Sequence, residues 1–305
     1  MIIDFAAHVI PPSLKGIFAV SFKYDPSLTR DRLALMDRYG IDAQVVHLGA
    51  AQLSGLSSED SVKACRAAND YIHEELTSKY PDRFIGCGIV GLLDADAALE
   101  EIDRVRGMGF KCVTVPAHQE DRGLDHPESR RILRRATELG FPVFIHPIDI
   151  EYRLLDRASM TALGWPFDTS LAAWRLLVGG VFDEMPNLRV VLHHMGAMLP
   201  FFRHRINNRI RKYAGGVTSI ERHVSNIYID TAVDGESVVD LMAAYSLFGP
   251  KRITFGSDWP YIDDSESIRD NLAAIRTAPI PGEEKELILH GNVEELLGLR
   301  GSGGH

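Results

Sequence analysis

Cysteine is scarce in this chain. Cys65, Cys87 and Cys112 are the only three in 305 residues, an odd number without metal-type spacing. A disulfide framework and a thiolate zinc site are therefore excluded, and free thiols in a reducing compartment are expected. Positive charge is not in excess either. Lys and Arg total 33 against 42 Asp and Glu, giving a net charge of −9. That is the wrong sign for a surface that grips phosphates, so no nucleic-acid partner is expected. Long apolar runs are missing too. Stretches such as 141–148 and 188–192 fall far short of the roughly 20 residues that span a bilayer, so no membrane partner is expected. The opening Met1-Ile2-Ile3-Asp4 lacks the basic and apolar regions of a secretory signal, which points to a cytoplasmic protein. No GxxxxGKS loop is present, and no GxSxG elbow surrounds Ser257, so phosphate-loop and serine-nucleophile chemistry drop out.

What remains is an ordinary soluble composition, 45% apolar and 25% charged. At this size folding buries roughly three quarters of the unfolded surface, so a large core is available. β-rich runs recur eight times: 2–5, 43–48, 84–90, 111–116, 142–146, 189–193, 226–230 and 252–256. Val, Ile and Phe dominate them with little polar alternation, as in parallel strands covered on both faces. Segments with helical periodicity lie between them, bounded by residues such as Asp94 and Pro127 at their starts and Gly40, Gly107 and Gly140 at their ends. Eight such units predict a single (β/α)₈ barrel over residues 1–300, with 301–305 as a flexible tail. The stretch 149–168 has no clear helix and is expected to form part of a lid.

In such a barrel the active site lies at the C-terminal ends of the strands. His8, His47, His118, His146, His193, His194, Asp230 and Asp258 all fall at or just after predicted strand ends. Neutral imidazoles and carboxylates converging on one mouth are what a divalent metal such as zinc, manganese or iron requires.

The order of short motifs is also distinctive. Ile3-Asp4-x-x-x-His8 is followed by Pro11-Pro12, then Tyr80-Pro81-Asp82-Arg83-Phe84, Pro142 through Pro147, and Gly164 through Thr169. The series closes with His194-Met195-Gly196, Leu199-Pro200-Phe201, Phe255 through Pro260, and Gly291-Asn292. In these features the chain resembles the amidohydrolase superfamily, in the branch typified by aminocarboxymuconate semialdehyde decarboxylase. The resemblance implies that His8, His146 and Asp258 are metal ligands and that His194, with Asp258, is catalytic. It also implies that Trp165 and Phe167 lie near the pocket, and Trp259 joins them as a substrate-binding expectation. A homodimer is the assembly it suggests, with pairing to a paralogous subunit as an alternative.

One position departs from the family pattern. Where the resemblance expects His-x-His after the first strand, this chain reads Ala6-Ala7-His8, and alanine cannot coordinate a metal. Three ligands still remain, the usual number for a catalytic zinc that keeps one position open. Non-oxidative decarboxylation of a small hydroxylated or unsaturated carboxylic acid is the expected reaction, making the enzyme a lyase. Arg153 is the expected cation for the anionic substrate. Hydrolysis or hydration through activated water would use the same residues. Two histidines and one carboxylate also match non-haem iron oxygenases. His47, His118 and His193 are then available as second-metal ligands, replacement ligands or positioning groups. A non-catalytic subunit with a degenerate site is the reading from a different class.

Overall fold

The apolar runs pair side by side in the computed structural model, which describes residues 1–14, 29–213, 218–233, 237–261 and 265–299. Eight strands form: β1 Ile3–His8, β2 Ala43–His47, β3 Phe84–Ile89, β4 Cys112–Pro116, β5 Val143–His146, β6 Val190–Leu192, β7 Ile227–Asp230 and β8 Ile253–Thr254. Each is parallel to its neighbour, and they line up in chain order. The chain just past β8 closes the ring against β1. Phe5 N donates to Phe255 O at 2.7 Å, Asp258 N to Ala6 O at 2.8 Å and His8 N to Trp259 O at 2.7 Å. The result is a single (β/α)₈ barrel. The tail 301–305 lies outside the described residues.

A long helix follows each strand: α1 Thr29–Tyr39, α2 Ser58–Tyr71, α3 Ala95–Gly107, α4 Pro127–Glu138, α5 Trp165–Val178, α6 Leu199–Tyr213, α7 Val238–Phe248 and α8 Ser265–Thr277. Their starts are chemically specified. The side chains of Ser57, Asp94 and His126 accept hydrogen bonds from Asp60 N, Ala97 N and Glu128 N, satisfying donors that the first helical turn leaves free. Among the described residues, no helix is long and apolar enough to cross a membrane.

Two apolar layers result. Phe5, Val45, Cys87, Cys112, Phe144, Val191 and Tyr228 form one buried cluster, inside the ring. Residues that alternate with them, such as Val46, Val113, Val143, Val190 and Ile229, pack with the helices. A Gly86-x-Gly88-x-x-Gly91 spacing lies in and just after β3, not at a phosphate-binding turn, and its purpose is steric. A Cβ at Gly86 would lie 2.4 Å from the ring of buried Phe110. Gly86→Ala should therefore cost about 1–3 kcal/mol through overpacking, and a lowered Tm with unchanged far-UV circular dichroism would show it. An unchanged Tm would mean that Phe110 moves freely.

Two local features differ from the expectation. β1 continues past residue 5 to His8, because Asp4 pairs with Gln44 but Ala7 with Val46, leaving one extra residue bulged on β1. The stretch 149–168 is not free of helix. A short helix Arg157–Ser159 and a wide turn Met160–Gly164 run into α5, which starts at Trp165 with Pro166 in its first turn. Proline there is a start signal, since its missing N–H has no partner to lose.

Candidate metal centre

The barrel seam places the first pair of site residues. The hydrogen bonds that join β1 to the chain after β8 carry His8 to Asp258, and His8 Nε2 lies 2.8 Å from Asp258 Oδ1. β5 delivers His146, whose Nδ1 meets the Pro147 carbonyl at 2.7 Å and so leaves Nε2 as the free ligand atom. β6 ends at Leu192, and two histidines follow it. His193 Nδ1 lies 2.6 Å from Asp230 Oδ2 at the end of β7, and its Nε2 lies 3.3 Å from Asp258 Oδ1. His194 Nε2 is 3.8 Å from Asp258 Oδ2.

The backbone here is strained. Of the five non-glycine residues with positive φ among the described residues, His194 (57°), Met195 (57°), Ala197 (55°) and Asp258 (56°) belong to this site. Such conformations cost energy and persist where the surroundings impose them. The turn after His194 also requires Gly196, since a Cβ there would lie 2.9 Å from Ile229 and 3.0 Å from Phe248. A buried frame holds the seam from behind. Asp4 Oδ1 accepts from Ser257 N at 2.9 Å, and its Oδ2 accepts from Ser257 Oγ at 2.6 Å and Gln44 Nε2 at 2.8 Å. Arg32 donates to Gln44 Oε1 at 3.0 Å and to the His8 carbonyl, and it covers the Trp259 ring at 4.3 Å. Burial lowers Arg32 to about 9, which keeps it charged at neutral pH.

Burial also sets the charge state of the cluster. It pushes the imidazoles of His8 and His194 below the usual histidine range, and those of His47 and His146 well below it. Burial opposes charge on His193 as well, yet Asp230 and Asp258 on either side raise it to about 10. Burial alone would raise Asp258, but His193 and the other imidazoles around it hold it well below the usual carboxylate range. The geometry thus seats positive charge between two carboxylates and surrounds it with neutral nitrogen donors.

These donors fit a divalent ion. Both ring nitrogens of His8 are buried without a hydrogen-bond partner, as is His47 Nε2. Asp258 Oδ1 approaches His8 Nε2 at 2.8 Å. An orphaned buried donor costs about 1–3 kcal/mol. One ligand atom from each of His8, His146 and His193 lies within 4.8 Å of the others, and the same holds for His193, His194 and Asp258. Ligands of this type in this spacing suit a divalent metal.

A cavity of about 380 Å³ opens on the cluster, lined by Arg157, Thr161, Ala162, Trp165, Pro166, His194, Ala232, Val233, Asp258 and Tyr261. Not every expected residue reaches it. Arg153 is exposed and outside the lining, which includes Arg157 instead. Phe167 is 47% exposed and lines a separate apolar depression with Trp174 and Phe202. Trp259 is buried under Arg32, and it serves His8 through its backbone carbonyl. His118 is tied to Asp168 at 2.8 Å, while His47 is tied to Thr114 at 2.9 Å with its ring centre 4.4 Å from that of His8. Trp165 does line the cavity, its Nε1 donating to Asp149 at 2.8 Å. Arg157 spans Asp149 at 3.1 Å and the Trp165 ring at 5.0 Å. Tyr261, which the sequence reading missed, takes a hydrogen bond from Gln52 at 2.5 Å, and burial pushes its phenol up so that it stays protonated. Its place directly after Asp258-Trp259-Pro260 was the available signal.

Known proteins resemble this chain in sequence and in fold. A family described as Amidohydrolase matches residues 3–299. The gamma-resorcylate decarboxylase of Rhizobium sp. (strain MTP-10005) is 31% identical over 250 residues, covering 75% of this chain and 76% of its own length. The 2-amino-3-carboxymuconate-6-semialdehyde decarboxylase of Dictyostelium discoideum is 27% identical over 90% of this chain and 77% of its own. A dihydroxybenzoic acid decarboxylase from Polaromonas sp. JS666, solved with manganese and 2-nitroresorcinol, superposes with a TM-score of 0.79. It is 23% identical, over 98% of this chain and 97% of that one.

Proposed function

This chain belongs to the amidohydrolase family, and on that premise we propose that it is a metal-dependent decarboxylase of small hydroxylated aromatic or unsaturated carboxylic acids. The observation that carries the reading is the clustering of His8, His146, His193, His194 and Asp258, of which His194 and Asp258 line one cavity. The decarboxylases among its relatives supply the substrate class. Hydrolysis, iron oxygenation and a non-catalytic role are not favoured by those relatives.

His8, His146 and Asp258 would hold the ion, which supplies a chelating centre for the substrate carboxylate and an adjacent oxygen. Zinc suits a three-ligand N/O set, while manganese accompanies a structural relative. Metal analysis of the purified protein separates the two. Arg157, which lines the cavity where Arg153 does not, would meet the anionic group, and Trp165 would flank the ring. In the reaction the ring carbon gains a proton and its bond to the carboxylate carbon breaks. The electron pair of that bond stays on the ring, and CO₂ leaves. His194 and Asp258 line the cavity beside the cluster, and in this reading they move the proton. Three buried free thiols suit a reducing cytoplasm. Exposed Phe167, Phe201, Phe202 and Tyr213 give a homodimer an apolar face to cover.

The test is CO₂ release from gamma-resorcylate and other ortho-hydroxylated benzoates, using protein stripped by chelator and reloaded with Mn²⁺ or Zn²⁺. Turnover should require the ion. Arg157→Met should raise KM about 10–100-fold, the worth of a charge-assisted hydrogen bond. A stoichiometrically loaded protein that decarboxylates no hydroxylated or unsaturated acid would overturn the reading.

A further inference from the structure

Position 6 is the weak point of the proposed site, because the methyl of Ala6 stands where a second ligand from β1 is expected. The structure ties another imidazole to the residue that packs near it, Asp230. Ala6 Cβ and Asp230 Cβ crowd one point over Gly256, where a built Cβ would lie 2.9 Å from the first and 3.0 Å from the second. Asp230 carries His193, and both side chains are completely buried. With Nδ1 held by Asp230 at 2.6 Å, an ion that displaces the other ring proton would find the lone pair on Nε2, 3.3 Å from Asp258 Oδ1. His8 Nε2 approaches the same oxygen at 2.8 Å. Two ligands on one tetrahedral ion at 2.0–2.1 Å stand about 3.3 Å apart, so these are spacings of groups that share a single ion. A second ion about 3.5–4 Å away would need its own donors. Among the described residues, neither His47 nor His118 falls in a grouping of ligand atoms within 4.8 Å of one another, so neither supplies them.

We propose that His193 replaces the missing position-6 ligand, so that one ion is held by His8, His146, His193 and Asp258 while Asp230 fixes the His193 ring. The inference rests on the proposed metal site but not on the reaction. A carboxylate that orients a ligating histidine fixes its tautomer and raises its basicity. Four protein ligands fill a tetrahedral shell, so substrate access then requires an ion that accepts five or six ligands, as manganese does. The competing structure is an ionic strut, in which His193 only braces Asp230 against Asp258.

Co²⁺ titration of the metal-free full-length protein, followed by visible absorption, distinguishes them without substrate. His193→Ala should weaken binding about 100-fold or more, beyond the 10–100-fold typical of an outer-shell loss, and should change the Co²⁺ spectrum. Adding Ala6→His to His193→Ala should restore at least about tenfold of the affinity, because an imidazole returns from β1. Asp230→Asn should weaken binding about 10–100-fold with the Co²⁺ band positions kept. His193→Gln keeps a polar group against Asp230 should the alanine variant misfold, and it should show the same spectral change. A folded His193→Gln or His193→Ala with wild-type affinity and spectrum would overturn the proposal, as would a wild-type protein that binds no ion. Spectral loss in His193→Ala together with rescue by Ala6→His upholds it, even if the wild type decarboxylates nothing and the proposed reaction falls.

Discussion

Asp258→Asn is expected to strip the protein of its divalent ion and to lower decarboxylation by about 10³-fold or more, given that even an outer-shell partner costs 10–100-fold. The reason is the position of this one carboxylate. Its Oδ1 faces His8 at 2.8 Å and His193 at 3.3 Å, while its Oδ2 faces His194 at 3.8 Å. Asparagine keeps the shape but removes the charge, and it can present an amide donor where a metal needs an acceptor. Misfolding is not the expected cause of the loss. Asparagine tolerates the left-handed backbone at this position, where φ is 56°. Metal content, activity and thermal unfolding would be measured together. Ion at 100 times its Kd stabilises the wild type by about 2.7 kcal/mol, and Asp258→Asn should lose that increment. A variant that keeps one ion per chain would remove Asp258 from the ligand set.

Much of the fold could be read from the chain because parallel strands covered on both faces are continuous apolar runs, which Val143–His146 and Ile227–Asp230 show plainly. Once eight such runs imply a barrel, strand ends become the place to look, and His8, His146, His193, His194 and Asp258 do gather there. What escaped depended on contacts between distant parts of the chain. The extension of β1 to His8 is held by Phe255 and Trp259, some 250 residues away, and local propensity at Ala6-Ala7 contains no trace of it. Arg153 and Arg157 are equivalent in sequence, and only the packing of Arg157 on Trp165 and Asp149 separates them. His118 sits at a strand end like the others, but Asp168, at the start of α5, engages it. Phe167 and Trp165 are two residues apart on a helix, so they point to different sides. Trp165 has the cavity and Phe167 the outer surface.

His194→Ala should separate chemistry from metal binding. Loss of a group that moves a proton costs typically about 10²–10⁴-fold in rate, so kcat should fall in that range while metal content and the Co²⁺ spectrum stay as in the wild type. The two adjacent histidines are placed for different tasks. His193 is wholly buried and bonded to Asp230. His194 is 16% exposed, lines the cavity, and stands 3.8 Å from Asp258 Oδ2, beyond hydrogen-bond reach. Asp230 enforces the difference: its Oδ2 takes the His193 ring while its Oδ1 takes the backbone N–H of His194 at 3.1 Å. The left-handed turn begins at His194, whose side chain lines the cavity. Because alanine at φ 57° is strained, His194→Asn serves as the companion variant that keeps the turn. Metal lost from both variants would make His194 a ligand and reverse the division between the neighbours. Full activity in both would leave Asp258 as the sole carrier of the proton.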